Sequence, residues 1–160
     1  MNTDVMFSRK NEVWATPQDF FDKLNQEFDF NLDPCATAAN HKCRRFFTEK
    51  DDGLKQDWGG SNTFCNPPYG RNTTGKWIQK AYEESRKPNT VVVCLVPSRT
   101  DTQWFHDYIL GKAEIRFVKG RLKFGDSENP APFPSMIVIY RSPILFRSIE
   151  KKKGINNGIC

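Results

Sequence analysis

Val91 to Val96 is an unbroken apolar run of six residues, bounded by Thr90 and Pro97. A strand that is apolar on both alternating faces must be covered on both faces. In a chain of 160 residues the covering comes from helices, so the run predicts an α/β domain built around a buried strand. It is also too short to cross a bilayer, which takes about 20 residues.

The rest of the chain supplies alternating strands and helices. Thr16-Pro17 opens a helix that runs to about Glu27, with Thr16 as N-cap and Phe20, Phe21, Leu24 and Phe28 on one face. The alternation from Phe28 to Leu32 reads as a short strand stopped at Asp33-Pro34. Arg45 to Thr48 and Asn62 to Cys65 read as further strands. Residues 74–87 form a second helix, and residues 101–110 a third, opened by Thr100 or Asp101. Glu114 to Val118 and Ser135 to Tyr140 complete the strands. This order predicts a three-layer domain with a mostly parallel sheet, whose ligands bind beyond the C-terminal ends of the strands. Residues 1–12 are expected to be loose, 13–142 to form the domain, and 143–160 to be a basic, flexible tail.

Charge narrows the functional classes. The net charge is +5, and +4 of it falls in residues 141–160, which include Lys151-Lys152-Lys153. The remainder is nearly neutral, which excludes a uniformly basic nucleic-acid coat. Five cysteines without a C-x-x-C pair and an N-terminus without a secretory apolar region predict a soluble protein of a reducing, cytoplasmic compartment. Cys35, His41 and Cys43 fit no common zinc spacing, so no metal site is expected. Cys65 is expected to be a small buried hydrophobe rather than a nucleophile.

The chemistry concentrates at Asn66-Pro67-Pro68-Tyr69, directly after a strand. An exocyclic amino group is a poor nucleophile because its lone pair is delocalised into the ring. Two fixed acceptors on its N–H groups draw it toward a tetrahedral, reactive form. The Asn66 side-chain oxygen supplies one, and the Pro67 carbonyl, held by rigid prolines, the other. Tyr69 offers a face on which an unstacked base can rest. The plain alternative is a proline-rich turn.

These residues resemble the (D/N/S)-P-P-(Y/F/W) element of amino-group DNA methyltransferases, and the order of elements over residues 13–141 is similar to the small phage Dam-like DNA N6-adenine methyltransferases. The resemblance implies a single Rossmann-like methyltransferase domain with an antiparallel last strand. It also implies S-adenosylmethionine as cofactor and a flipped adenine in double-stranded DNA as substrate. Trp14-Ala15-Thr16-Pro17 resembles the family's T-P element, which helps hold the methionine part of the cofactor. Asp33-Pro34-Cys35-Ala36 resembles its strand-end D-P-x-x-G element, here without the glycines. Asp57, after Asp51-Asp52-Gly53-Leu54, sits where the family has an acidic group near the cofactor adenine, and Asn66 adjoins the cofactor as well. The family's biology implies a phage-encoded enzyme that marks its own DNA, as protection against restriction, in the host cytoplasm.

For DNA contact the sequence offers Tyr69, Arg71, Asn72 and Lys76 after the central motif, and Arg116, Lys119, Arg121 and Lys123 as a local basic cluster. No room remains for a separate recognition domain, so contact is expected from short loops near 71–76 and 112–124, with a short or relaxed target. Cytosine N4, an RNA base and a protein Gln amide remain alternative methyl acceptors. A non-catalytic nucleic-acid-binding module on a degenerate fold is the alternative outside the class.

Overall fold

The computed structural model describes residues 14–143. Its strands are β1 (Leu32–Asp33), β2 (Arg45–Phe46), β3 (Asn62–Cys65), β4 (Val91–Pro97), β5 (Glu114–Phe117) and β6 (Ser135–Arg141). They form one six-stranded open sheet in the order β2-β1-β3-β4-β6-β5. The first four are mutually parallel, and β6 runs antiparallel between β4 and β5. The expected extremities, residues 1–12 and most of 143–160 with the lysine run, lie outside the described residues. Among the described residues no helix is long and apolar enough to cross a membrane.

β4 is buried along its whole length, and its alternation divides the core in two. Val92, Cys94 and Val96 pack with Trp77, Ile78 and Ala81 of α2 (Thr74–Ser85) and Phe105 of α3 (Gln103–Tyr108). Val91, Val93 and Leu95 pack with Phe21 and Phe28 of α1 (Gln18–Phe28). Helices therefore cover both faces, as the apolar run required. Each fully buried valine or leucine there contributes about 1.5–3 kcal/mol relative to exposure.

Three local expectations are corrected. Phe28 is the last residue of α1, and Asp29 follows in a left-handed conformation (φ 51°) with its N–H donating to Asn25 O. The strand begins only at Leu32. The alternation of Phe28, Phe30 and Leu32 does mark burial, but it arises from a helix end and a chain reversal, with the Phe28 and Phe30 rings stacked 5.6 Å apart. Pro17, not Thr16, occupies the N-cap of α1, without a side-chain cap. α3 starts later than expected, because the Thr102 hydroxyl accepts from Phe105 N–H and takes the cap.

The chain passes left from β1 to β2 and right from β3 to β4, so the winding reverses between β1 and β3. A crevice opens at such a reversal, beyond the C-terminal ends of the strands. Asp33 and Asn66 stand at those two ends. Gly53, in a 3-10 turn over this edge, touches the backbone after β1. A side-chain carbon there would lie 2.0 Å from the Pro34 carbonyl oxygen, so only glycine fits.

Candidate active site

Asp33 is 4% exposed. Its two carboxylate oxygens accept the backbone N–H groups of Cys35 (3.3 Å) and Lys42 (2.9 Å). Burial pushes its pKa up, against the lowering effect of those hydrogen bonds and of Lys42 and His41. The carboxylate borders a small cavity of about 30 Å³ lined also by Trp14, Thr16, Cys35, Asn40, Lys42 and Asn66. That is room for an ammonium-sized group. The donor set suits the two charged ends of an amino acid: a buried carboxylate for an ammonium, and Lys42 with Asn40 for a carboxylate. Lys42 reaches across to Gln18 of α1 (Nζ to Oε1, 2.8 Å). Neither Asn40 nor Lys42 was singled out for this role from sequence. The signal available was only their place in the loop after Asp33.

Asn66 leaves β3 beside this cavity. Its amide nitrogen donates to the Trp14 carbonyl (2.7 Å) and to the Thr16 hydroxyl (3.0 Å). Thr16 thus serves the site instead of capping the helix. The Asn66 side-chain oxygen accepts from the Tyr69 hydroxyl at 2.7 Å, and that hydroxyl also lies 3.0 Å from the Leu95 carbonyl. An amide oxygen carries two lone pairs, so one position on Asn66 remains for an incoming N–H. Pro67 is buried and Pro68 partly so. The Pro68 carbonyl accepts from the Thr74 hydroxyl (3.0 Å), which anchors the turn to the start of α2.

The Tyr69 ring stands among three others. Phe124 and Phe133 meet it edge-on at 6.1 and 5.5 Å, and Trp14 lies 6.1 Å away, tilted by 37°. Burial raises the Tyr69 phenol well above its ordinary pKa, so it remains a proton donor at neutral pH. Cys65 and Cys43 are buried, with the Cys43 thiol pushed up to about 12 and that of Cys65 also raised. Neither supplies a thiolate nucleophile at neutral pH. His41 is stacked on Phe46 at 4.0 Å with its Nδ1 on the Cys43 carbonyl.

A second, larger cavity of about 1150 Å³ opens on the other side of Tyr69. Arg71, Asn72 and Lys76 line it, as do Arg99, Gln103 and Trp104. Trp14 borders both cavities, and the hydrogen-bonded pair Asn66–Tyr69 stands between them.

Two groups of expected residues do not join this site. Asp57 precedes β3, at the opposite end of the sheet. It pairs there with Lys87 (2.7 Å) and accepts the Gly59 N–H, which together lower its pKa to about 2. Trp58 beside it is a core residue, its indole N–H donating to Gly53 O and its backbone N–H to the buried Glu84. Arg116 is likewise committed elsewhere. It makes a two-pronged pair with Glu27 of α1 (2.6 and 2.8 Å) and a bond to Glu114 (2.6 Å), and lies over the Phe28 ring. Lys119, Arg121 and Lys123 are exposed and carry no ion pair among the described residues, and they do not line the large cavity. Interleaved with this basic run, Phe124 belongs to the core cluster against which Leu122 and Tyr69 pack.

Arg116→Ala is accordingly expected to leave the KM for a nucleic-acid substrate unchanged. Partly exposed pairs of this kind contribute about 0–1 kcal/mol, so Tm should fall by no more than about 4 °C. A tenfold rise in KM would return Arg116 to the substrate surface.

Residues 4–156 match the model of the DNA N-6-adenine-methyltransferase (Dam) family. The chain is 29% identical over 147 residues to the "DNA N-6-adenine-methyltransferase" of Haemophilus phage HP1, covering 87% of this chain and 84% of that protein. It is 28% identical over 113 residues to the protein of the same name from Escherichia phage T1, covering 69% of this chain but 46% of that longer protein. A third relative, "Putative methyltransferase YfdM" of Escherichia coli, is 34% identical over 65 residues, covering 36% of this chain and 71% of that protein. With the family match extending over nearly the whole chain, and through both strand ends of the crevice, this protein belongs to the DNA N-6-adenine-methyltransferase (Dam) family.

Proposed function

We propose that the protein transfers a methyl group from S-adenosylmethionine to the N6 amino group of adenine in DNA, on a three-layer Rossmann-like domain. The observation that carries the reading is the placement of the Asn66–Tyr69 pair between a small cavity bordered by the buried Asp33 carboxylate and a wide polar cleft. The family and the names of two phage relatives supply the substrate class. They also suit a phage enzyme that marks its own DNA.

The cofactor supplies an electrophilic methyl group on a sulfonium. Asp33 would take its ammonium, Lys42 and Asn40 its carboxylate, and Trp14, Thr16 and the Pro34–Ala36 turn would enclose that end. A base buried in a duplex cannot reach Asn66, so the adenine must leave the stack. The free lone pair of the Asn66 oxygen and the Pro67 carbonyl then accept from its amino group. These bonds strengthen as positive charge develops on N6, so they favour the transition state over the bound ground state. Tyr69 holds the Asn66 oxygen in position through its hydroxyl and presents its ring toward the cleft. The charged product amine can lose its proton to water, and no histidine is needed.

The test is transfer of tritiated methyl to DNA, followed by mass spectrometry of the nucleosides. N6-methyladenine is expected. Label only in N4-methylcytosine, in RNA or in a protein amide would replace the acceptor, and a protein that neither binds S-adenosylhomocysteine nor transfers label would refute the enzyme.

A further inference from the structure

The large cleft has a wall that the sequence did not point to, the segment from Arg99 through Trp104. We propose that this wall grips and reads the target strand beside the extruded adenine, with Arg99 on a phosphate and Gln103 on a base edge. The proposal rests on the DNA-methylating reading above and deepens it.

The volume, about 1150 Å³, exceeds the ~1,000 Å³ upper range of small-molecule pockets. One nucleoside at Asn66 would leave most of it unfilled, whereas a polymer that continues past the reacting base would use it. Its cations are also uncommitted. Arg71, Lys76 and Arg99 are exposed and form no ion pair or side-chain hydrogen bond among the described residues. Elsewhere Lys80, Lys87, Arg116 and Arg141 are all held by carboxylates.

The backbone under Arg99 is fixed while its side chain is free. Arg99 N–H donates to Pro97 O (2.8 Å), and Arg99 O accepts the Thr102 hydroxyl (2.8 Å). His106 holds the Thr100 carbonyl at 2.8 Å. Such an anchored base positions a flexible charge cheaply. The opposite wall is set by Gly75, where a side-chain carbon would lie 3.2 Å from Trp104. Gln103 is exposed with no protein partner, and its amide can both donate to and accept from an adenine edge.

The cleft also holds two carboxylates, Asp101 and Asp107. They oppose a phosphate chain running along the whole floor. Their charge disfavours phosphate beside them, so phosphate contact falls to Arg71, Lys76 and Arg99, and Asp101 is left as an acceptor for a base amino group.

The experiment compares wild type with Arg99→Ala, Arg99→Lys and Gln103→Ala. Arg99→Ala should raise the DNA KM at least tenfold, with kcat within about threefold. Its log–log salt slope should fall by about one, which Arg99→Lys should restore. S-adenosylhomocysteine affinity should stay at wild type in all three variants, as the check on folding. Gln103→Ala should relax the preference at one flanking position by about 5–100-fold, read by sequencing methylated duplexes drawn from a pool with randomised flanks. Wild-type KM, salt slope and flank preference in the variants would overturn this proposal alone. A wild-type protein that labels no DNA would overturn the parent reading and this one with it.

Discussion

Asn66→Ala is expected to lower kcat for methyl transfer by about 10²–10³-fold, the usual loss for one preorganised hydrogen-bonding group aimed at developing charge. The side chain has three protein partners and, in the proposed reaction, a fourth in the incoming amino group, and the substitution removes all four. Its oxygen loses the Tyr69 hydroxyl and the incoming amino group, and its nitrogen releases the Trp14 carbonyl and the Thr16 hydroxyl. The last two line the small cavity proposed to take the cofactor's amino-acid end, so cofactor affinity should also weaken. The rate must therefore be measured at saturating cofactor and DNA, with tritiated methyl, and with the circular-dichroism melt as a check on folding. A kcat within threefold of wild type under those conditions would remove Asn66 from the chemistry. Tyr69→Phe separates the two duties of the tyrosine. It keeps the ring and loses only the hydroxyl, with its bonds to Asn66 and the Leu95 carbonyl, so its loss should stay within about tenfold, well short of that for Tyr69→Ala.

How far the sequence could be read follows from the range of the forces involved. The apolar run at β4 and the residues after β3 are local signals, and both elements lie where they were expected. The strand order is not legible in the same way: β6 inserts antiparallel between β4 and β5, a pairing that the succession of elements along the chain does not fix. What failed depends on contacts between distant parts of the chain. Arg116 is paired with Glu27, 89 positions away, and nothing in the basic run around it indicates that. Asp57 is expected beside the cofactor adenine by its place in the chain alone, but it precedes β3 rather than following a strand, and Lys87 pairs with it there. Thr16 satisfies every local rule for an N-cap. It is drawn off because Asn66, 50 positions on, needs an acceptor for its amide. Arg99 was invisible because a single arginine after a strand carries no pattern. Only the cleft opposite Lys76 gives it a partner class.

Asp33 provides the second large effect, and its two pH dependences have opposite signs. Burial raises its pKa in the folded protein above the ordinary carboxylate value. For stability, the unfolded chain then releases this proton at lower pH than the folded chain does. Asp33's contribution is most favourable at low pH and is lost as pH rises from the unfolded pKa through the raised one. For cofactor binding the sign reverses. An ammonium needs the carboxylate, so affinity is full above the raised pKa. It falls by up to tenfold per pH unit below, until the pKa of the complex is reached. Asp33→Asn should weaken S-adenosylhomocysteine binding by about 10–150-fold at neutral pH, the usual range for a charge-assisted hydrogen bond of 1.5–3 kcal/mol. It should also abolish the acid-side slope. Other carboxylates, such as Glu84 and Glu114, have lowered pKa values and destabilise the fold on acidification. The Asp33 part must therefore be read as the difference between wild type and variant, by calorimetric titration and by melting at each pH. Equal affinity and parallel pH profiles in the two proteins would place the cofactor's ammonium elsewhere and leave the burial of Asp33 without a ligand to account for it.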